Sequence, residues 1–206
     1  MRKILKNFII ISILFIIFFI ITAYSYATNI SEGLSENIFR LHILANSDSD
    51  EDQALKLKVR DEIINYMKTL TDGKTDKQAV IKLTKEHTND FKQIAESVIK
   101  ENGYDYQVEI EIGNFYFPTK YYGNISLPAG NYDALRIKIG KAEGQNWWCS
   151  LFPPLCFVNV SSGVIDEEGN QYLKENLSDE EFEIISSNSS DIEFKFKIIE
   201  MINKKN

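Results

Sequence analysis

The sequence has few of the residues on which enzyme sites and metal sites are usually built. Its 206 residues include two histidines, two cysteines and four prolines. The metal-binding HExxH pattern, the GxSxG nucleophile turn and a glycine-rich phosphate loop do not occur in it. A CxxC redox pair is also lacking, because the two cysteines stand seven positions apart. The sequence therefore predicts no catalytic residue, no bound cofactor and no metal ion.

Basic side chains are in the minority as well, with 23 Lys and Arg against 30 Asp and Glu. Three of these basic residues lie among the first six positions, ahead of an apolar run over residues 8–21 that is followed by the small residues Ser25 and Ala27. This order is typical of an export signal peptide. We therefore expect residues 1–27 to form a signal peptide that is cleaved between Ala27 and Thr28, with a retained membrane anchor as the alternative.

The part of the chain that remains after such cleavage, residues 28–206, is acidic. Removing three of the 23 basic residues leaves 20 against 30 acidic ones, which gives a net charge near −10. An acidic surface repels nucleic acids and anionic lipid headgroups, so the expected partners are proteins or small molecules and not nucleic acid. Roughly 180 residues are enough to bury the core of one domain.

Hydrophobic periodicity predicts an α+β fold. Apolar residues alternate with polar ones in several short runs, and they recur every three or four residues in others. The predicted strands cover residues 39–45, 106–112, 115–122, 135–139, 147–151 and 192–198, and the predicted helices cover residues 51–69, 76–100 and 178–185. Gly113 and Asn114 are expected to turn the chain between two of these strands. We expect a single domain in which two N-terminal helices pack on a mainly antiparallel sheet.

Residues 146–157, here called the Trp-Cys block, hold both tryptophans, both cysteines and two of the four prolines. Cys149 and Cys156 flank a Pro-Pro turn, and this spacing allows a structural disulfide. Two buried free thiols and an intermolecular bridge are the alternatives, in that order. Trp147 and Trp148 lie on a predicted strand and should point to opposite faces of the sheet.

The same block contains the candidate partner-binding residues. One tryptophan is expected to fill the core, while the other joins an exposed apolar surface that docks on a partner protein. The candidates are Trp147, Trp148, Leu151, Phe152, Pro153, Pro154 and Leu155. The alternative is that the whole block belongs to the core, since aromatic and proline-rich segments often serve packing.

His42 and the acidic turn at residues 46–52 indicate two kinds of chemistry. If the turn folds back on the predicted strand, His42 could meet Asp48 or Asp50 and form an acid-base pair, as in some hydrolases. The turn also begins like a calcium-binding EF-hand loop, but Gln53 and Val59 replace the glycine and the glutamate that such a loop requires. Helix capping by the turn explains the same residues. His87 lies in a helical apolar pattern and is expected to be a packing residue.

Three separated motifs of unusual composition lie along the chain. The first is FRLHILANSDS at residues 39–49, which continues through residues 52–61. The second combines LPAG at residues 127–130 with YDALR at residues 132–136, and the third is NWWCSLFPPLCF at residues 146–157. Together these motifs span most of the chain beyond the signal segment, and they resemble those of the stage II sporulation protein R family.

The resemblance implies a signalling role for the chain and no catalysis of its own. Members of the family are exported from the forespore of endospore-forming bacteria into the intermembrane space that faces the mother cell. There they activate a membrane-embedded aspartic protease of the mother cell, which removes the pro-sequence of the early mother-cell sigma factor. The resemblance thus implies this protease as the partner. The alternative function is an exported cell-wall hydrolase that uses His42 and the acidic turn.

Overall fold

The first element is a long helix that continues past the apolar run. The computed structural model describes residues 2–71, 76–122, 125–153, 155 and 167–186. Helix α1 extends over Arg2–Asn37 without a break. Its large apolar side chains between Ile4 and Ile21 are exposed, whereas Ile30 and Leu34 are buried against the rest of the protein. The end of this helix is therefore part of the folded core.

A four-stranded sheet forms the centre of the fold. Its strands are β1 Phe39–Leu44, β2 Val108–Phe117, β5 Gly130–Ile139 and β6 Asn146–Phe152, in the order β2-β5-β1-β6, while β3 Lys120–Tyr122 and β4 Ile125–Leu127 form a separate antiparallel pair. The β1–β5 pair is parallel. The β1–β6 and β2–β5 pairs are antiparallel, so the sheet is mainly antiparallel.

Three helices cover one face of this sheet, which we call the helix-covered face. They are α2 Asp50–Thr71, α3 Lys77–Glu86 and α4 Thr88–Glu101. Asp76 caps α3, because its carboxylate accepts hydrogen bonds from the amides of Gln78 at 3.3 Å and Ala79 at 3.0 Å. Apolar side chains of the sheet and the helices meet in a core that includes Phe39, Leu41, Ile43, Val59, Ile63, Phe91, Ile99, Leu135 and Ile137.

The opposite face of the sheet carries a second core at one end. The end of α1, the β3–β4 pair and the helices α5 Glu167–Asn176 and α6 Asp179–Ser186 contribute to it. A capping box begins α6, since the Ser178 amide donates to the Glu181 carboxylate at 2.7 Å and the Glu181 amide donates to the Ser178 hydroxyl at 3.2 Å. This second core includes Leu34, Ile38, Phe117, Ile125, Leu127, Tyr132, Leu173 and Ile185.

The structure confirms the predicted α+β class and the mainly antiparallel sheet, but two predicted elements are wrong. The prediction of a single helix over residues 76–100 fails at His87, where a ψ of 20° leaves the helical range and separates α3 from α4. The predicted turn at Gly113–Asn114 is absent from the described strand β2, because these residues continue the ladder opposite Ala134 and Asp133. A Gly-Asn pair permits a turn but does not force one.

The later part of the chain agrees with the periodicity where the structure describes it. The predicted strand at residues 147–151 is confirmed as β6, and the predicted helix at residues 178–185 is confirmed as α6. The predicted strand at residues 115–122 is divided between the end of β2 and β3, whereas the periodicity predicts neither β4 nor α5. The predicted strand at residues 192–198 lies outside the described residues.

Candidate functional site

Polar side chains lie buried on the sheet face opposite the helices, next to the second core. Alternation along β1 points its apolar residues toward the helices and turns Arg40 and His42 to the opposite face. The strand register pairs His42 with Arg136 of β5 and with Trp148 of β6. We call Arg40, His42, Arg136, Phe117 and Trp148 the Arg-His cluster.

Arg40 is fully buried in this cluster. Its Nε donates to the carbonyl of Cys149 at 3.1 Å, and its Nη2 donates to the hydroxyl of Tyr122 at 2.7 Å. The guanidinium carbon lies 4.4 Å from the ring centroid of Phe117 and 5.0 Å from that of Tyr132. Nη1 has no hydrogen-bond partner, and none of the ion pairs among the described residues includes Arg40. In the described part of the chain, aromatic rings thus surround a buried cation that has no carboxylate partner.

His42 is held as a neutral imidazole beside this guanidinium. Its Nε2 lies 2.9 Å from Oδ1 of Asn146, and its ring stacks on Trp148 with a centroid distance of 3.7 Å. Burial lowers the pKa of His42 to about 4, and the charges of Arg136 and Arg40 contribute to this shift, although the Asn146 bond opposes it. With Nε2 donating to the amide oxygen, Nδ1 is a buried acceptor without a partner.

Arg136 supplies the second guanidinium of the cluster. Its Nη1 donates to the carboxylate of Glu111 at 3.2 Å, and its central carbon lies 3.6 Å from the ring centroid of Phe115. The hydrogen bond from Lys138 is the main reason why the pKa of Glu111 lies below its ordinary value, and Arg136 adds to the effect. The Nε of Arg136 is buried and has no hydrogen-bond partner.

The acidic turn does not meet His42. The carboxylate of Asp52 accepts hydrogen bonds from the hydroxyl of Ser47 at 2.5 Å and from the side-chain amide of Asn46 at 2.8 Å. Burial raises the pKa of Asp52, but these hydrogen bonds and one from Tyr106 outweigh burial and hold the pKa below its ordinary value. The acid-base pair expected at His42 is therefore not formed in this structure.

The same turn holds the loop between β5 and β6. Oδ1 of Asn46 accepts a hydrogen bond from the amide of Lys141 at 3.0 Å, and Oδ1 of Asp48 accepts one from the amide of Gln145 at 2.7 Å. Within the described ranges, no group of three or more His, Cys, Asp or Glu side chains could hold a metal ion. The turn thus acts as a clasp between the start of α2 and the β5–β6 loop.

The second histidine belongs to a surface cluster at the α3–α4 junction. Nδ1 of His87 lies 2.6 Å from Oδ2 of Asp90, and the hydroxyl of Tyr66 donates to the same carboxylate oxygen at 2.8 Å. Burial raises the pKa of Tyr66 to about 12, and Asp90 adds to the shift. His87 therefore joins α2 to α4 by hydrogen bonds, in agreement with a packing role.

The two tryptophans of the Trp-Cys block do point to opposite faces. Trp147 packs against the core of the helix-covered face, where the guanidinium carbon of Arg60 lies 4.3 Å from its ring centroid. Trp148 packs against the second core and stacks on His42. Both rings are half-buried, so neither is wholly exposed for a partner.

The expected exposure of the apolar residues in this block is wrong. Leu151, Phe152 and Leu155 have relative exposures of 4%, 4% and 1%, and Pro153 is also buried. β6 is a strand between the two cores, so its alternating side chains fill both of them. Pro154 lies outside the described residues. The partner-binding role of the block stays a prediction, and only the two tryptophans retain partial exposure.

Cys149 is buried and does not titrate, because it is disulfide-bonded. Its predicted partner, Cys156, lies outside the described residues. The Cys149–Cys156 pairing across the prolines therefore stays a prediction.

The N-terminal helix is compatible with a cleaved signal peptide and with a retained membrane anchor. One helix of the described chain, Lys3–Asn37, has the length and apolar composition to cross a membrane. A signal peptide and a retained anchor both have these properties. Residues 27 and 28 lie inside this helix, and cleavage between Ala27 and Thr28 stays a prediction.

Sequence reasoning missed Arg40 and Arg136 as site residues. Polar positions on a half-apolar strand predict a solvated face, and nothing in the pattern indicates that aromatic side chains from β2 and β6 cover them. The available signal was the position of Arg40 and His42 two residues apart on a strand whose neighbours supply Phe117 and Trp148.

The fold is that of a small α+β protein that begins with an apolar N-terminal helix. Its candidate site is a buried polar cluster on the sheet face opposite α2, α3 and α4. The family model described as stage II sporulation protein R matches residues 35–162. The chain belongs to this family. It is 38% identical over 135 residues to the stage II sporulation protein R of Bacillus subtilis (strain 168). The matched region amounts to 66% of this chain and 60% of that relative. The chain thus matches less than two thirds of its relative's length. No solved structure matches the chain at a significant level.

Proposed function

We propose that this chain is an exported signalling protein of endospore formation. It leaves the forespore through its N-terminal apolar segment and acts in the space that faces the mother cell. Its partner there is a membrane-embedded aspartic protease, which it activates to process the precursor of the early mother-cell sigma factor. The observation that carries the proposal is the family match over residues 35–162.

Two structural observations support a signalling role over a hydrolytic one. The carboxylates Asp48 and Asp52 of the acidic turn hold the β5–β6 loop and the start of α2, whereas His42 bonds to Asn146. A neutral histidine with a pKa of about 4 is also poorly suited to accept a proton near neutral pH. The apolar helix α1 is compatible with passage through a membrane.

Reconstitution in vegetative cells tests the proposal. The chain is co-expressed with the mother-cell protease and a tagged sigma-factor precursor, and an immunoblot follows the length of the precursor. We expect the precursor to shorten only when the chain is present. A matched chain without residues 8–21 should be made but should not support cleavage, because it is not exported. Cleavage without the chain, or an intact precursor when all three proteins are present, would refute the proposal.

A further inference from the structure

Among the residues that the structure describes, four buried side-chain polar atoms have no hydrogen-bond partner, and three of them lie in the Arg-His cluster. Two are N–H donors of guanidinium groups, Nη1 of Arg40 and Nε of Arg136, and the third is the acceptor Nδ1 of His42. Arg136 and His42 are directly paired across β5 and β1, and Arg40 lies two residues before His42 on the same face. The side chains that carry these atoms therefore extend from neighbouring positions on one face of the sheet.

The chemistry of these atoms selects an anion. Arg40 is a fully buried cation without a carboxylate among the described residues, which is unfavourable in the free protein. Arg136 has one carboxylate partner, Glu111, but its Nε remains unused. Guanidinium groups present paired N–H donors that match the geometry of a carboxylate. The two guanidinium groups thus each have an unused N–H donor that could bind a carboxylate.

The third atom, Nδ1 of His42, adds a second requirement to the chemistry of the ligand. Because this nitrogen is an acceptor without a partner among the described residues, the ligand must place a hydrogen-bond donor close to its anionic group. An aspartate or glutamate within a polypeptide supplies both groups, since its carboxylate accepts and a neighbouring main-chain amide donates. The half-buried rings of Trp148 in the cluster and of Phe115 beside it provide apolar contact for the same segment.

We propose that the Arg-His cluster is a binding site for an acidic side chain of the partner protein, with Arg40 and Arg136 holding its carboxylate and His42 receiving a main-chain N–H. The side chain enters beside Trp148 and Phe115, whose rings shift to admit it. This proposal rests on the proposed function, because it takes the activated protease as the source of the carboxylate.

Formate, the smallest carboxylate, tests the site without the partner. The full chain is purified in detergent and titrated with sodium formate or, at equal ionic strength, sodium chloride, while tryptophan fluorescence and the thermal midpoint are followed. We expect formate to change both readouts more than chloride does. In Arg40→Met and Arg136→Met the formate affinity should fall roughly tenfold, as expected for loss of a charged hydrogen bond.

Lys138→Met is the matched control. Lys138 lies on the same strand and face as Arg136, but it is bonded to the carboxylates of Glu109 and Glu111. It should keep the formate response. Arg40→Met should also melt in chloride at or above the wild-type temperature, because it removes a buried unpaired charge. Equal responses to formate and chloride in the wild-type chain, or an unchanged formate response in both methionine variants, would overturn the site.

The co-expression assay then separates a partner carboxylate from a free one. At equal protein levels, Arg40→Met and Arg136→Met should lose precursor cleavage while Lys138→Met retains it. Normal cleavage with both methionine variants would overturn the partner as ligand and leave the proposed function intact. If the wild-type chain fails to stimulate cleavage, the proposed function and the partner carboxylate are both refuted, and a positive formate result then assigns the site to small free carboxylates only.

Discussion

The two faces of the central sheet are built from the same strands but are stabilised in different ways. On the helix-covered face, Leu41 and Ile43 pack among apolar side chains of α2 and α4. On the opposite face, the alternate residues Arg40 and His42 are just as buried, yet they depend on aromatic rings and a few hydrogen bonds. Among the described residues, the helix-covered face has one buried side-chain polar atom without a hydrogen-bond partner, Nε1 of Trp147, whereas the opposite face has three. The first face is therefore stabilised mainly by hydrophobic burial, and we place the partner site on the second.

The largest effect should come from the helix-covered face. Phe91→Ala in α4 removes a fully buried ring from the first core. We expect the free energy of unfolding to fall by about 3 to 5 kcal/mol, as is usual for Phe-to-Ala changes in cores. Urea unfolding of the full chain in detergent, followed by circular dichroism, measures the loss. A loss below about 1 kcal/mol would show that this face is not the main source of stability.

The apolar end of the opposite face should respond nearly as strongly. Leu34→Ala at the end of α1 removes a side chain that is fully buried in the second core. The expected loss is about 2 to 4 kcal/mol in the same unfolding experiment. Ser35→Ala is the control, because the Ser35 hydroxyl bonds only to the nearby carbonyl of Glu32 on an exposed turn. If both variants unfold alike, the end of α1 is not part of the core.

The polar part of the opposite face should make stability depend on pH. Because the folded pKa of His42 is about 4 and the unfolded value is near 6.5, the unfolded chain binds the proton first as the pH falls. The contribution of His42 is therefore complete above about pH 7, and about 3 kcal/mol of it is lost by pH 4. Arg40 and Arg136 oppose protonation, while Glu111 and Asn146 favour it.

Unfolding curves of the wild-type chain and His42→Asn between pH 7 and pH 4 measure this effect. The difference in slope between the two chains belongs to His42, since the other histidine and all carboxylates are shared. Parallel curves would mean that His42 titrates equally in the folded and unfolded states. Water would then reach the His42 side chain in the folded protein.

The smallest of these effects is expected at the loop that joins β5 to β6, which borders both faces. Gly144 donates its amide to the carbonyl of Ala45 at 3.0 Å, and a Cβ at this position would collide with the backbone carbonyl of Ser47. Gly144→Ala should lower the free energy of unfolding by about 1 to 3 kcal/mol and loosen the clasp. Gly103→Ala meets no neighbouring atom, although its φ of 85° adds backbone strain. A smaller loss for Gly144→Ala than for Gly103→Ala would contradict the clasp.

The fold was predictable where one physical signal dominates. Alternation gave β1, β5 and β6, and helical periodicity gave α2 and α6, because each buries a regular apolar stripe. The break at His87 and the straight course through Gly113–Asn114 depend on tertiary contacts, since either local conformation is permitted. A short stretch of sequence therefore does not determine which backbone conformation these residues adopt.

The candidate site was less predictable than the fold. His42 was singled out, but Asp48 of the acidic turn bonds to the β5–β6 loop, and Asp52 bonds within the turn. Arg40 was not predicted as a site residue, because its burial depends on Phe117 and Tyr132, which lie far away in sequence. The exposed apolar surface expected in the Trp-Cys block failed for a related reason: Leu151 and its neighbours lie on a strand between two cores.

The unbroken helix α1 has a chemical consequence for export. Cleavage after Ala27 would leave Thr28 as a new terminus on a helix whose next turns, with Ile30 and Leu34, remain locked in the core. The freed α-amino group would carry a positive charge at the positive end of the helix dipole, which is unfavourable. Burial and the side chains of Glu180 and Glu183 raise the pKa of Tyr26, so carboxylates of α6 lie close to this part of α1. Processing would thus replace the apolar segment of α1 by an ammonium group at the start of the remaining helix.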